Sequence, residues 1–290
     1  MQAQLDSLEN QSHTAWQLWA SDDGSNDATQ AILANYRHRW GAEKLVILAG
    51  PAKGFVANFL YLCCQREIRA DFFAFCDQDD IWESEKLSRA LDKMRSLDPA
   101  APLLYCSRTT LIDDGGAVSG LSPLFPRPPV FRNALVQSIA GGNTMVFNLR
   151  ARELIFQIGE DIDVVTHDWL LYLAVTACKG IVLYDPKPTT RYRQHGRNVI
   201  GANSGWQASL RRAVMLARGD FRHSNNRNAS ALERILPTFS PQNEIAFNRF
   251  CKARTSGLVS RIRGFRRVGV YRQTVLGQLG LWIGAILGRI

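Results

Sequence analysis

The sequence predicts an α/β fold with a mostly parallel central sheet covered by helices, followed by a basic helical tail. Two observations predict it. Short apolar runs alternate with helix-length segments from residue 16 to residue 106, the β-α-β-α order of a sheet built with helical crossovers. Two acidic turns, Ser21-Asp22-Asp23-Gly24-Ser25 and Asp77-Gln78-Asp79-Asp80, directly follow two of those runs. Ligands of open α/β sheets bind beyond the carboxyl ends of strands.

Each element follows from local pattern. Residues 1–15 read as a polar helix, and Trp16 to Ala20 alternates as a strand that stops at the first acidic turn. Residues 27–39 read as a helix with Asp27 as N-cap, Leu45 to Leu48 as a short buried strand, and Gly54 to Cys64 as a helix. Residues 71–76 form the next strand, 84–96 a helix capped by Ser84, and Leu103 to Cys106 another strand. After residue 110 the pattern changes. Gly115-Gly116 marks a turn, Pro123 to Pro129 a loop, 131–139 a helix and Met145 to Phe147 a strand. Helices are expected over 150–158 and 167–178, then a strand from Gly180 to Tyr184 and a polar loop from Arg191 to Gly201. From about 205 the chain reads as helical, with a weaker stretch at 222–230.

The net charge of +9 is unevenly placed. Residues 205–290 hold 15 Lys/Arg against 3 Asp/Glu, whereas the first 204 residues hold 20 against 23. Anionic membrane surfaces and nucleic acid are the usual partners of such a basic region. The tail has no interleaved exposed aromatics and no nucleic-acid motif, so nucleic acid is not an expected partner. Its apolar end, Val275 to Ile290, is shorter than the roughly 20 residues of a membrane-spanning helix. With arginines just ahead of it, it reads as an interfacial helix. The six cysteines, at 63, 64, 76, 106, 178 and 251, show no metal-ligand spacing and fit a reduced, intracellular compartment.

The acidic run carries the chemistry. Packing gains nothing from three carboxylates at a strand end, and their repulsion calls for a cation. A hard divalent ion held by one or two carboxylates keeps positions open for substrate phosphates. The simpler reading is a solvated turn capping the next helix, with Asp80 as the cap. Asp22-Asp23-Gly24-Ser25 also reads as an ordinary turn. His167-Asp168-Trp169 reads as a helix start with Thr166 as N-cap, which is compatible with a carboxylate facing a cleft. Trp82 reads as core.

Five motifs occur in order: Ser21-Asp22-Asp23-Gly24-Ser25; Asp77-Gln78-Asp79-Asp80-Ile81-Trp82 with Lys86-Leu87; Gly142-Asn143-Thr144-Met145; His167-Asp168-Trp169; and Tyr192-Arg193-Gln194-His195-Gly196. Together they resemble glycosyltransferase family 2, particularly its bacterial rhamnosyltransferase-like members. The resemblance implies a GT-A fold, the three-layer sandwich of nucleotide-diphospho-sugar transferases. It implies a transferase domain over 1–204, with a nucleotide-binding part to about 110 and an acceptor part over 111–204, and a basic helical region over 205–290 lying against a membrane.

The same resemblance implies roles. Asp23 contacts the nucleobase with Asp22 beside it, Asp77 lies near the ribose, and Asp79, with Asp77 and His195, holds a divalent metal, Mg2+ or Mn2+. Asp168 is the catalytic base. Gly142, Asn143, Thr144 and Trp169 lie on the acceptor side, and Lys53 reaches the donor unless it is simply solvated. The arginines around His195 suit phosphate oxygens. The implied activity is inverting transfer of a sugar, rhamnose by the nearest resemblance, from a nucleotide-diphosphate donor to a glycan or lipid-linked glycan in surface polysaccharide synthesis. The implied place is the cytoplasmic face of the inner membrane. Family members begin with a strand and a Pro-Thr-Tyr-Asn-like turn, whereas Met1 to Leu8 matches the helix that follows it. One strand of the sheet is therefore expected to be missing, with poor donor binding as its consequence. The alternatives are a truncated or non-catalytic member of the family and a basic nucleic-acid-binding protein.

Overall fold

The computed structural model describes residues 1–194 and 219–290. The chain begins with α1 (Gln2–Glu9), β1 (Leu18–Asp22), α2 (Thr29–Trp40), β2 (Leu45–Ala49) and α3 (Phe55–Cys64). Next come β3 (Phe72–Ala74), β4 (Ile81–Trp82), α4 (Lys86–Met94), β5 (Leu103–Ile112) and β6 (Val118–Leu121). Then follow α5 (Phe131–Ala134), a 3-10 turn (Gly142–Thr144), β7 (Val146–Asn148), α6 (Leu149–Ile158), α7 (His167–Ala177) and β8 (Ile181–Arg193). The C-terminal helices are α8 (Asp220–Glu233), α9 (Pro241–Thr255), α10 (Leu258–Val268) and α11 (Val275–Leu287).

The α/β class holds, but the sheet is mixed rather than mostly parallel. β1 and β2 pair in parallel as a two-stranded sheet, and the second sheet runs β3-β7-β5-β8-β4 with β6 alongside β5. In that sheet β5 and β8 are parallel, and the other pairs are antiparallel. Helical crossovers give the two parallel pairs, β1 with β2 and β5 with β8. The Asp113–Gly116 turn folds β6 back onto β5, and the short β7 inserts antiparallel between β3 and β5. Among the described residues β1 pairs only with β2 and β3 only with β7, and residues of both strands line one cavity.

β8 runs through Arg193, nine residues past the expected end at Tyr184. Pro186 and Pro188 suggest a stop, yet the strand accommodates them at a register shift opposite Ser107 to Thr109 and then resumes its pairing with β5. The strand therefore takes in Arg191 to Arg193, expected to be loop. Helices expected at 1–15 and 131–139 are shorter, and 220–233 is a continuous helix where a weak stretch was expected. The remainder of the expected 191–201 loop, and the helix expected from 205, fall on residues 195–218, outside the described ones.

Two apolar clusters support these sheets. The larger joins Leu60, Phe75 and Phe147 to α5, α6 and α7, and continues through Leu232, Phe247, Phe265 and Leu281 of the C-terminal helices. The smaller packs α1, α2 and α4 around Leu45, Trp82 and Tyr105. Trp82 is thus a core residue, as its sequence context suggests.

Candidate active site

A cavity of about 2060 Å3 receives the strand ends. Asp77 and Asp79 line it from the loop after β3, Asp22 and Asp23 from the end of β1, Gly142 and Asn143 from the 3-10 turn, and Asp168 and Trp169 from the start of α7. Asp77 is pushed up to about 8, chiefly by burial and then by the like charges of Asp80, Asp79 and Asp168.

Asp80 has a different task. It is 1% exposed, and burial pushes it up to about 6. One carboxylate oxygen accepts the Asn143 side-chain amide, and the other accepts the Arg193 backbone N–H at 3.1 Å. Asp80 therefore ties the acidic loop to the Gly142–Thr144 turn and to the end of β8. It does not cap a helix: α4 begins at Lys86, with Glu85 in the cap position and no side-chain cap.

Lys86 stands behind this loop, fully buried. Its Nζ donates to Asn143 O at 2.8 Å and to Thr190 Oγ1 at 3.1 Å, and lies 4.6 Å from the Trp82 ring centroid. Burial brings its pKa down to about 7, against the pull of Asp80 and Asp77 among others. The sequence places Lys86 in a motif without indicating a role for it. The available signal is the helix period, since positions 86, 90 and 94 share the buried stripe of α4.

Asp168 is fixed at the start of α7, where Thr166 supplies the cap. Its Oδ1 accepts the Trp169 N–H at 2.6 Å and its Oδ2 the Gly142 N–H at 2.9 Å. The carboxylate is thus aimed from two backbone donors while lining the cavity. His167 lies beside it in an aromatic pocket, stacked on Phe59 at 4.1 Å and edge-on to Phe75 at 4.5 Å. Neither ring nitrogen has a hydrogen-bond partner, and burial lowers its pKa to about 4.

The first acidic turn is braced from within. Asp22 accepts Ser25 N–H at 2.9 Å and the Gln30 side-chain amide at 2.8 Å; the Ser25 side chain, then Gln30 and the Ser25 N–H, hold its carboxyl below the usual value. Asp23 accepts Ala52 N–H on one oxygen and Gly54 N–H on the other, both at 2.6 Å. It therefore clasps the loop between β2 and α3, leaving its remaining lone pairs for a ligand.

Residues 2–115 match the family model described as glycosyl transferase family 2. A Shigella flexneri relative described as "dTDP-rhamnosyl transferase RfbG" is 25% identical over 249 residues, covering 80% of this chain and 81% of its own. Over residues 2–115 the chain is therefore similar to glycosyltransferase family 2. The fold is similar to that of S. aureus TarS 1–349, with a TM-score of 0.51 and 15% identity over 99% of this chain and 84% of that one. It is similar to the same degree, TM-score 0.51 at 12% identity, to the Pyrobaculum calidifontis mannosyltransferase PcManGT, over 99% of this chain and 81% of the other. This is the GT-A arrangement of α/β layers.

Within that fold, some expected family residues fall outside the cavity. Lys53 is exposed and lies beside Glu160, Asp161 and Asp163 rather than on the cavity wall. Thr144 is fully buried, with its hydroxyl donating to Gly141 O at 2.9 Å. Trp169 does line the cavity, and its indole N–H ties α7 to Ala134 O at 2.7 Å. Of the arginines expected to suit phosphate, Arg191 pairs with Glu83 at 2.8 Å and Arg193 donates to the carbonyls of Asp79, Asp113 and Asp114, while Arg197 lies outside the described residues. His195 lies outside the described residues.

Among the described residues no three metal-ligating side chains come together. The donor set still fits a hard divalent ion. Asp77 and Asp79 both reach the cavity, burial and then neighbouring like charges raise Asp77, and magnesium-type sites commonly use one or two carboxylates plus ligand oxygens.

Proposed function

We propose that this protein is a metal-dependent inverting glycosyltransferase that moves a 6-deoxyhexose, rhamnose, from a nucleotide-diphosphate donor to a hydroxyl of a glycan or lipid-linked glycan. The observation that carries this reading is the Asp168 carboxylate, held by Gly142 and Trp169 on the wall of the cavity that Asp77 and Asp79 also line. The S. flexneri relative, named for dTDP-rhamnosyl transfer, supports a deoxythymidine-diphosphate donor. The P. calidifontis mannosyltransferase, solved in complex with GDP-Man and Mn2+, supports a divalent ion alongside the donor.

Asp168 takes the proton from the acceptor hydroxyl as its oxygen attacks the anomeric carbon, opposite the diphosphate. The bond from that carbon to the diphosphate oxygen breaks, and configuration inverts. Asp23 and Asp22 border the nucleoside end and Asp77 the ribose, while Asn143 and Gly142 shape the acceptor side. Mg2+ or Mn2+ at Asp79 and Asp77 would supply positive charge for the leaving diphosphate. The acceptor is placed in surface polysaccharide synthesis at the inner face of the cytoplasmic membrane. No helix among the described residues is long and apolar enough to cross a membrane, which suits peripheral contact.

The test is release of nucleoside diphosphate and formation of glycoside from dTDP-rhamnose with Mg2+ or Mn2+. Transfer should vanish in EDTA and in Asp79→Ala. Undiminished transfer in both would refute the metal-dependent reading.

A further inference from the structure

α11 carries the largest unpartnered apolar face of the described residues. Val275, Leu276, Leu279, Ile283, Ile286 and Leu287 are between 50% and 80% exposed. Positions 276, 279, 283, 286 and 287 fall on one side of the helix, while Leu281, Gly284 and Ala285 are buried on the other. The helix is well anchored: Thr274 caps it with a 3.1 Å bond from Gly277 N–H, and Leu281 and Ala285 belong to the main core. An exposed apolar stripe on a rigid, capped helix marks a contact surface.

The neighbouring helix identifies the occupant. α10 runs antiparallel to α11: Arg261, near its start, donates to Ala285 O at 3.1 Å near the end of α11, and residues 269–274 join the other ends. α10 exposes Val259, Arg263, Arg266 and Arg267 at helical spacing. From Ile245 to Ile290 the chain has nine Lys/Arg and no Asp/Glu. An apolar stripe beside one whose charged residues are all basic matches the acyl boundary and anionic headgroups of a bilayer. A second copy would bring two all-basic helix pairs together, and nucleic acid would leave the apolar stripe unused.

Position adds a functional consequence. Arg272, Thr274, Val275, Leu276 and Gly277, at the start of α11, line the same cavity as Asp168 and Trp169. We propose that α10 and α11 form a docking surface for an anionic lipid bilayer, with the cavity opening at that surface to take the polar head of an amphiphilic acceptor. The choice of acceptor rests on the glycosyltransferase reading; the docking surface does not.

The experiment is co-sedimentation of the full chain, without donor or acceptor, with phosphatidylcholine vesicles containing or lacking phosphatidylglycerol. Wild type should partition onto the anionic vesicles. Leu279→Glu/Ile283→Glu, with unchanged far-UV circular dichroism, should lose about tenfold or more of that partitioning. Arg266→Glu/Arg267→Glu should lose about tenfold or more at low salt and less at high salt. Neither pair lines the cavity, so transfer to a water-soluble acceptor should persist in both variants, separating this inference from the proposed activity. Wild type failing to bind anionic vesicles, or binding unchanged in the Leu279→Glu/Ile283→Glu variant, overturns the proposal. So does a dimer that this variant dissolves in the absence of vesicle binding.

Discussion

Gly142 donates its backbone N–H to Asp168 Oδ2 at 2.9 Å in a place where no side chain fits. A Cβ there would lie 2.6 Å from His167 Nε2 and 3.4 Å from Asp168 Cβ. The donor that aims the carboxylate can approach it only because position 142 is glycine. Gly142→Ala should push His167 and Asp168 out of register, costing about 1–3 kcal/mol of stability. It should also lower kcat about tenfold or more, since a misplaced catalytic group is costly. Steady-state kinetics beside a denaturant midpoint measures both, and the donor KM should change little.

Lys86 brings a buried amine close to Asp77 and Asp80, which favour its charged form against a burial that lowers its pKa to about 7, and it satisfies Asn143 O. Lys86→Met keeps the length of the side chain but leaves the carboxylates without that charge and the carbonyl without that donor. The expected loss is about 2–4 kcal/mol, read as a lower urea midpoint with an unchanged slope. Unaltered stability would mean that the loop is held from elsewhere.

His167 gives a pH signature. In the unfolded chain imidazole titrates near 6.5, and in the fold its pKa is about 4. Between these values the unfolded state binds more protons, so stability is full above about pH 6.5 and is lost as pH falls toward 4, by about 3 kcal/mol at most. His167→Phe should keep the stack on Phe59 and remove this dependence. The wild-type-minus-variant stability difference should be flat above pH 6.5 and should turn against wild type below it.

Asp23 joins the first acidic turn to the loop before α3. Asp23→Ala should cost about 1 kcal/mol, because the freed N–H groups of Ala52 and Gly54 are exposed and find water. Its larger effect should be a raised donor KM with kcat less affected, measured by varying donor at saturating acceptor.

The first half of the fold was legible because its strands and helices have clean periods and turn residues between them, as in Leu45 to Leu48 and Gly54 to Cys64. The second half was less legible because pairing there overrides local signals. Pro186 and Pro188 hid the continuation of β8, and the antiparallel direction of β7 is fixed by neighbours far away in sequence. Within the site, Asp77 and Asp79 stood out because carboxylates after an apolar run need a reason, whereas Asp168 read by itself as part of a helix start and drew notice through the family resemblance. Asp80 looked like a helix cap because its partners, Asn143 and Arg193, are 63 and 113 residues away. Lys86 and Gly142 act through three-dimensional neighbours, which composition does not reveal.

The central claim is that Asp168 accepts the acceptor's proton, and Asp168→Asn tests it most directly. The amide preserves size but offers one oxygen, which can accept from Gly142 or from Trp169 and not from both as the two carboxylate oxygens do, and it is no base. With dTDP-rhamnose as donor, kcat for glycoside formation should fall by about 10²–10⁴-fold, while donor affinity measured by calorimetry stays within about twofold. Transfer by Asp168→Asn at the wild-type rate would contradict the account.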